Sequence, residues 1–308
     1  MAFTAADVKA LREKTGVGMM DCKKALTEAD GDMERAIDVL REKGLAASAK
    51  KAGRIAAEGI VLAYTDEAKK VSVLVEVNSE TDFVAKNEKF VNYVTAVAKT
   101  IADTNPADVD ELLAKPLAGD TRTVQENLQD MVLSIGENMK IRRFERVEGI
   151  TTSYIHGGGS VGVLVMFDTD DKTAATDAFK VMGKDVAMQI AAMSPAYLDE
   201  ASVPADVLAH EKEITKAQLA EDPKMAGKPE QVLAKIVDGK IVKYFKENCL
   251  LDQAFVKDGD MNVAKYVASV AKELGADIKV TGFIRYAKGE GLEKREDDFA
   301  AEVASMMK

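Results

Sequence analysis

The sequence predicts an α+β fold, and three features of the 308-residue chain support this class. Residues 1–53 hold three short stretches in which apolar residues recur at helical spacing. A pattern of strand, turn, strand and helix then occurs twice. A charged stretch bounded by prolines follows the second copy and predicts further helices. We therefore expect helical segments joined to two related layers of helix and strand.

The N-terminal stretch predicts three helices with one shared core. Thr4 and Asp7 have the spacing of a capping box at the start of the first helix, with Asp in place of the preferred Glu. After "TGVGMMD" the helical pattern resumes at Met19. Asp32 is placed to cap the third helix, and Gly44 is its predicted end. A basic helical linker is expected to follow.

An internal repeat predicts two related α+β subdomains. Residues 58–60 recur as residues 148–150, and "VSVLVEV" is matched by "VGVLVMF" at the same offset of 90. Phe90 and Phe179 then match at an offset of 89, so one residue is lost between the strands and the helix. Repeats of this kind indicate that one supersecondary unit is used twice.

Two helical segments are predicted outside the repeat. The charged stretch after the second copy splits at "PKMAGKP" into two antiparallel helices, which either bind a partner, mediate dimerisation or only decorate the surface. "ADIKVTGFIRYAKGEG" predicts one more strand. "EKREDDFAAEVASMMK" predicts an amphipathic C-terminal helix with Phe299, Val303 and Met306 on one side.

Composition and charge are those of an ordinary soluble globular protein. The net charge of −10 gives no basic face for nucleic acid, although it suits a partner with basic patches. Cys22 and Cys249 lie far apart and are expected to be buried and reduced. The start resembles no signal peptide, and no apolar run reaches the roughly 18 residues of a membrane span. We expect a cytoplasmic protein without membrane contact.

The sequence contains no recognisable catalytic, cofactor or metal motif. Every Gly-Lys pair lacks the Ser or Thr of a phosphate-binding loop. The "HGGGS" stretch at residues 156–160 lies between two strands and predicts a hairpin turn. His156 and His210 have no metal-ligand spacing and no neighbouring nucleophile motif. We expect neither an enzyme nor a cofactor; among the many carboxylates, nothing singles out a catalytic pair.

Several side chains are candidates for a binding surface. Met19 and Met20 are consecutive and cannot both face one core, so either one is exposed or both are half-buried. Phe83 lies in the polar junction "NSETDFVAKN", where it either packs on the following helix as a hydrophobic staple or contacts a partner. Ile135 precedes a Gly-Glu-Asn turn, and His156 is either a polar turn residue or a contact residue.

These stretches together resemble the elongation factor Ts family. "LREKTGVGMMDCKKALTEADGDMERAIDVLREKG" is similar to its N-terminal module, and "NSETDFVAKNEKF" to its most distinctive motif. "IGENMKIRR", "SYIHGGGSVGVLV", "TGFIRYAKGEGLEK" and "DFAAEVASMMK" follow in the family's order, so the resemblance covers nearly the whole chain. This sequence has Ser79-Glu80 where the family often has Cys-Gln before "TDFVAKN". The difference lies outside Asp82 and Phe83.

The resemblance implies both a function and a domain organisation. The implied function is guanine nucleotide exchange on elongation factor Tu, without a nucleotide site of its own. The implied domains are a ubiquitin-associated-like three-helix module with linker at 1–54, core subdomains at 55–147 and at 148–188 with 242–288, a coiled-coil hairpin insertion at 189–241 and a C-terminal module at 289–308. A homodimer or a two-to-two complex with the partner stays open, as does an adaptor without exchange activity.

The resemblance also assigns contact residues. Asp82 and Phe83, with Thr81 and Val84 beside them, match the segment that intrudes on the partner's GTPase domain and dislocates its Mg²⁺. Ile135 matches a support of the same surface. The remaining matches are the contact of His156 with the partner's third domain and two further contact faces, formed by Arg12, Met19, Met20 and Lys23 and by the C-terminal helix around Phe299 and Val303.

Overall fold

The computed structural model describes residues 3–15, 17–225 and 228–293. Runs of helices and runs of strands follow one another along these residues, which confirms the α+β class. The described chain forms two compact units. The first takes residues up to 147 together with 155–162 and 286–293, and the second takes 148–154 and 163–285. The predicted C-terminal contacts Phe299 and Val303 lie outside the described residues.

The N-terminal segment folds into three helices: α1 (Ala5–Thr15), α2 (Met19–Glu28) and α3 (Met33–Lys51). The predicted capping box is confirmed, because the Thr4 N–H donates to Asp7 Oδ2 at 2.7 Å and the Asp7 N–H donates to Thr4 Oγ1 at 3.4 Å. Asp32 caps α3 as predicted and accepts from two backbone N–H groups. The three helices share one core, built from Val8, Leu11, Val17, Cys22, Ala25, Leu26, Ala29, Ala36 and Leu40.

A three-stranded sheet forms the centre of the first unit. Its strands lie in the order β1 (Glu58–Asp66), β2 (Val71–Ser79) and β3 (Met139–Glu148). The helices between β2 and β3 are α4 (Asp82–Ala85), α5 (Glu88–Thr104), α6 (Val109–Ala114) and α7 (Val124–Ile135). Every residue of β2 is buried, because the strand is central in the sheet and α5 covers it. A strand buried on both faces gives a fixed base for the segment that follows it.

Gly44 does not end α3, so this prediction is wrong. The helix continues to Lys51, and Gly44 is buried within it. An ideal Cβ on Gly44 would lie 3.6 Å from the carbonyl oxygen of Gln129, because α3 packs against α7 at this point. The packing offsets the roughly 1 kcal/mol that a glycine costs inside a helix. The Nζ atom of Lys51 donates to the Val132 carbonyl at 3.3 Å and connects the same two helices.

A second three-stranded sheet has the order β4 (Ile150–His156), β5 (Val161–Asp168) and β8 (Lys279–Ala287). A short two-stranded sheet contains β6 (Ala254–Phe255) and β7 (Asp258–Asn262). The helices of this part of the chain are α8 (Asp171–Ala174), α9 (Asp177–Met193), α10 (Ala205–Glu221), α11 (Glu230–Asn248) and α12 (Val263–Leu274), with a 3₁₀ turn at Glu200–Ser202. Helices α9 and α12 pack against each other.

The two copies of the repeat share their backbone landmarks. Helices α5 and α9 both have 17 residues. They end at Asn105 with φ 45° and at Ser194 with φ 48°, both in the left-handed conformation. Each copy also contains a one-turn helix, α4 or α8, between its second strand and its long helix. The predicted pattern of strand, turn, strand and helix omitted these short helices.

Helices α10 and α11 pack on each other around Leu219, Val237 and Ile241. The predicted boundaries at 188 and 241 both fall inside helices. Helix α9 continues to Met193 because its apolar face, including Ile190, is still buried. Helix α11 continues to Asn248, and Phe245 in its last turn packs against the same apolar cluster. Ala226 and Gly227 in the connection lie outside the described residues.

Both cysteines are expected to resist thiol reagents while the protein is folded. Cys22 and Cys249 are buried, and burial raises the pKa of each thiol, for Cys249 to about 11. The thiolate is the reactive form, so labelling with Ellman's reagent at about pH 8 should be slow. Denaturant should release both thiols. A Met20→Cys variant, at a site 62% exposed, should add one thiol that reacts at once. Rapid labelling of the native wild type would contradict the buried positions.

Candidate functional site

The junction after β2 exposes one phenylalanine and buries its neighbour. Val84 in α4 is buried in the core of the first unit, whereas Phe83 is 81% exposed. Successive residues of a helix point about 100° apart, so an inward Val84 turns Phe83 outward. Phe83 therefore does not act as a staple on the following helix. Val84 anchors the turn from inside. Its role as a contact residue stays a prediction.

Glu137 connects this turn to the end of α7. The Thr81 N–H donates to Glu137 Oε2 at 3.0 Å, and Thr81 Oγ1 donates to Glu137 Oε1 at 2.7 Å. Helix α7 ends at Gly136, whose φ of 90° turns the chain toward the strand that follows. The structure thus brings the predicted Ile135 segment next to the predicted Thr81–Val84 segment. Ile135 itself is half-buried against the core.

A second set of hydrogen bonds holds the same two loops. The Asn138 N–H donates to Glu80 Oε1 at 2.5 Å, and Asn138 Nδ2 donates to the Arg54 carbonyl at 2.8 Å. Arg54 Nη1 lies 3.4 Å from Glu80 Oε1. The sequence analysis missed Glu80, Glu137 and Asn138. The available signal was a pair of polar residues directly after a helix-ending glycine.

Asp82 presents a charged acceptor beside the exposed ring. Its Oδ2 atom lies 2.7 Å from Lys86 Nζ, one helical turn away, and both side chains are largely exposed. The hydrogen bond from Lys86 and the charges of Lys86 and Lys288 lower the pKa of Asp82. Asp82 is therefore ionised at neutral pH. An aromatic ring and a carboxylate thus face solvent together on a single helical turn.

The second copy of the repeat shows which of these features the fold requires. In α8, Thr173 is buried at the position of Val84, and the exposed Lys172 stands where Phe83 stands in α4. The architecture keeps the inward residue and tolerates a charged residue at the outward position. Phe83 is therefore not needed to build the turn, and its exposure calls for another explanation.

A second exposed apolar patch lies on the N-terminal helices. Met19 is 46% exposed and Met20 is 62% exposed, which agrees with the predicted alternative in which both are half-buried. Arg12 and Lys23 are also exposed. Cys22 lies between these residues in sequence but faces the core. Flexible thioethers beside cationic side chains suit an adaptable contact with another protein.

The predicted hairpin turn at residues 156–160 joins β4 to β5 as expected. Its three glycines all have positive φ, from 56° to 99°. The Ser160 N–H and Oγ both donate to the His156 carbonyl at 3.1 Å. An added Cβ on Gly159 would lie 3.0 Å from Ile60, so the turn rests closely on β1. His156 is exposed at the start of this fixed turn.

The described residues hold no group of three or more His, Cys, Asp or Glu side chains that could bind a metal ion. None of the helices described is both long enough and apolar enough to span a bilayer. The candidate contacts that the described residues expose are the Phe83 turn, the methionine patch and the His156 turn.

Comparison with known proteins gives a consistent result over the whole chain. The family model described as Elongation factor TS matches residues 80–290. Elongation factor Ts of Clostridium perfringens strain ATCC 13124 is 54% identical over 307 residues, which is 99% of each chain. The Clostridium kluyveri protein of the same name is 52% identical over 305 residues, covering 98% of this chain and 97% of its own. The Clostridium botulinum (strain Langeland) protein is 50% identical over 309 residues, covering 99% and 98%.

Proposed function

This chain belongs to the elongation factor Ts family, and from that premise we propose that it binds elongation factor Tu with GDP and promotes GDP release during translation elongation in the cytoplasm. The observation that carries the proposal is Phe83, 81% exposed on a turn that the fold holds in place. An exposed ring on a fixed support suits insertion into a pocket of another protein.

Exchange of this kind needs no nucleotide site on the exchange factor. If the factor lowers the affinity of its partner for GDP, GDP lowers the affinity of the partner for the factor by the same ratio. Such coupling requires contacts that form only with the nucleotide-free conformation. We assign those contacts to the Phe83 turn.

In this proposal Phe83 supplies binding energy for the complex, and Asp82 supplies a negative charge near the Mg²⁺ of the partner. Burying a phenylalanine side chain in a partner contributes roughly 1.5–3 kcal/mol, which corresponds to about one to two decades in affinity. Ionised Asp82 competes for polar groups near the Mg²⁺ of the partner. Loss of that ion removes a large positive charge from the diphosphate. Thr81 and buried Val84 hold the turn, with Ile135 behind it.

The other surfaces are proposed to fix the complex. The N-terminal helices, as a ubiquitin-associated-like module, use Arg12, Met19, Met20 and Lys23, and the His156 turn contacts the third domain of the partner. The C-terminal segment around Phe299 and Val303 extends along its GTPase domain. The hairpin of α10 and α11 is assigned to coiled-coil contacts, in a homodimer or a two-to-two complex.

The function is tested by release of a fluorescent GDP analogue. Elongation factor Tu loaded with the analogue is mixed with excess unlabelled GDP and a substoichiometric amount of this protein. Because an exchange factor is released after each event, all of the label should dissociate at an accelerated rate. Acceleration limited to the fraction of partner in complex, or none at all, would indicate an adaptor instead.

Met20→Ala is expected to weaken partner binding about threefold to tenfold, because a half-exposed methionine loses roughly 1 kcal/mol of burial in the complex. The affinity is measured by titration calorimetry with nucleotide-free partner. Lys24→Ala, an exposed neighbour on α2 outside the assigned patch, serves as the control and should change little. Equal losses in the two variants would remove the methionine patch from the proposed interface.

A further inference from the structure

We propose that Glu137 is a positioning residue for the exchange reaction: it holds Thr81 so that α4 presents Phe83 in one orientation. The inference rests on the proposed function, because it assigns the support of the same site. Glu137 lies 56 residues from Thr81 in sequence, and its two carboxylate oxygens accept the N–H and the hydroxyl of that one residue. Such a paired contact fixes the direction of the chain as well as its distance.

Helix α4 needs support of this kind. It has four residues, which is one turn and too short to be stable on its own. Thr81 is its N-cap residue, but the side chain makes no hydrogen bond to the helix. The Thr81 hydroxyl donates to Glu137 instead. The first turn of α4 is therefore anchored by a carboxylate from outside the helix rather than by its own cap.

In the second copy of the repeat, the one-turn helix α8 is capped by its own N-cap residue. Its N-cap residue Asp170, which corresponds to Thr81, accepts from the Thr173 N–H at 2.9 Å and from the Thr173 hydroxyl at 2.8 Å. Helix α8 is thus capped by its own residue. It also carries Lys172 in place of Phe83, so no exposed aromatic depends on its orientation.

The position of Glu137 has no carboxylate in the second copy. Helices α7 and α12 end in the same way, at Gly136 with φ 90° and at Gly275 with φ 61°. Each is followed by a strand of its sheet, β3 or β8. From the glycines, Glu137 aligns with Ala276. The external carboxylate is therefore present only in the copy that exposes a phenylalanine.

The loop that carries Glu137 is itself held firmly. The neighbouring Asn138 is buried and bonds to Glu80 and to the Arg54 carbonyl. Loss of the Glu137 carboxylate should therefore leave its loop in place and loosen α4 at Thr81, while buried Val84 still holds the helix to the core. A loosened α4 keeps Phe83 but presents it in the binding orientation for only part of the time, and apparent affinity falls with that fraction.

The test compares Glu137→Ala, Thr81→Val and the double variant in the GDP-release assay. Hydrogen bonds to a charged group are strong, so Glu137→Ala should lower exchange efficiency about tenfold. Thr81→Val should lower exchange efficiency by less, because the N–H contact to Glu137 remains. Thr81→Ser keeps the hydroxyl and should exchange as well as the wild type. The double variant should match Glu137→Ala alone. Asp170→Ala removes the corresponding cap in the second copy and should leave exchange unchanged.

Each alternative has its own result. If Glu137→Ala exchanges GDP at the wild-type rate while Phe83→Ala is slower, the positioning role is overturned and the proposed function stays intact. Wild-type exchange by Phe83→Ala would overturn the wedge itself. Additive losses in the double variant would mean that Glu137 contacts the partner directly. Thermal unfolding shows whether Glu137→Ala stays folded; if it does not, the comparison of Thr81→Val with Thr81→Ser decides.

Discussion

Phe83→Ala is expected to slow catalysed GDP release and to weaken partner binding by about tenfold to a hundredfold, because a buried phenylalanine contributes roughly 1.5–3 kcal/mol. The fold should not change, since Phe83 is 81% exposed and the turn is anchored by Val84. Stopped-flow release of fluorescent GDP gives the rate at a series of factor concentrations. Thermal unfolding gives the stability, and Phe83→Ala and the wild type should unfold at the same temperature.

The repeat supplies a matched control for this experiment. Lys172→Ala removes the side chain at the corresponding position of α8 and should leave GDP release unchanged. Phe83→Leu keeps an apolar side chain and should lose less than Phe83→Ala. An unchanged release rate in Phe83→Ala would refute the wedge, and a lowered unfolding temperature would assign Phe83 to the fold instead.

Local patterns predicted much of the fold. The spacing of Thr4 and Asp7 gave a real capping box, and three glycines between two strands gave a real hairpin turn. The exposed Phe83 could also be suspected, because its polar surroundings in "NSETDFVAKN" offer no core. These features depend on residues within a few positions of each other, where periodicity and turn chemistry are informative.

Long-range contacts account for what the sequence did not show. Gly44 lies mid-helix because α3 packs on α7, and no local signal reports that packing. Glu137 and Thr81 are 56 residues apart, so their pairing follows only from the folded chain. Propensity is a weak guide wherever tertiary packing stabilises an unfavourable residue. The buried carboxylate of Glu76 on β2 is a further case, because its hydrogen-bond partners Arg142, Arg143 and Gly289 are all distant in sequence.

Glu76→Ala is expected to lower the free energy of unfolding by about 3–5 kcal/mol, because removing one partner of a buried ion pair leaves the other unpaired. Glu76 has no exposed surface. Its carboxylate accepts from Arg142 Nη1 at 3.0 Å, from Arg143 Nε at 2.7 Å and from the Gly289 N–H at 2.8 Å. The substitution leaves two half-buried guanidinium groups and one buried N–H without this acceptor. Urea unfolding followed by circular dichroism measures the loss.

The pH dependence of stability tests whether the negative charge of Glu76 is what stabilises this network. Burial alone would raise the pKa of Glu76, but hydrogen bonds from Gly289, Arg143 and Asn78 outweigh burial and lower it from 4.5. A carboxyl whose pKa is lower when folded stabilises the protein above its unfolded value and loses that contribution as pH falls through the folded value. The gap in stability between wild type and Glu76→Gln should therefore be full at neutral pH and narrow below about pH 4.

An exposed ion pair serves as the control that shows how much of the loss in Glu76→Ala is due to burial. Glu247 lies 3.5 Å from Lys243 on α11, and both side chains are mostly exposed. Glu247→Ala should cost less than about 0.5 kcal/mol, because water and salt screen such pairs. Similar losses in Glu76→Ala and Glu247→Ala would show that β2 tolerates an unpaired charge network. A large loss in Glu76→Ala alone would establish Glu76 as the residue that holds Arg142, Arg143 and the chain around Gly289 on the first sheet.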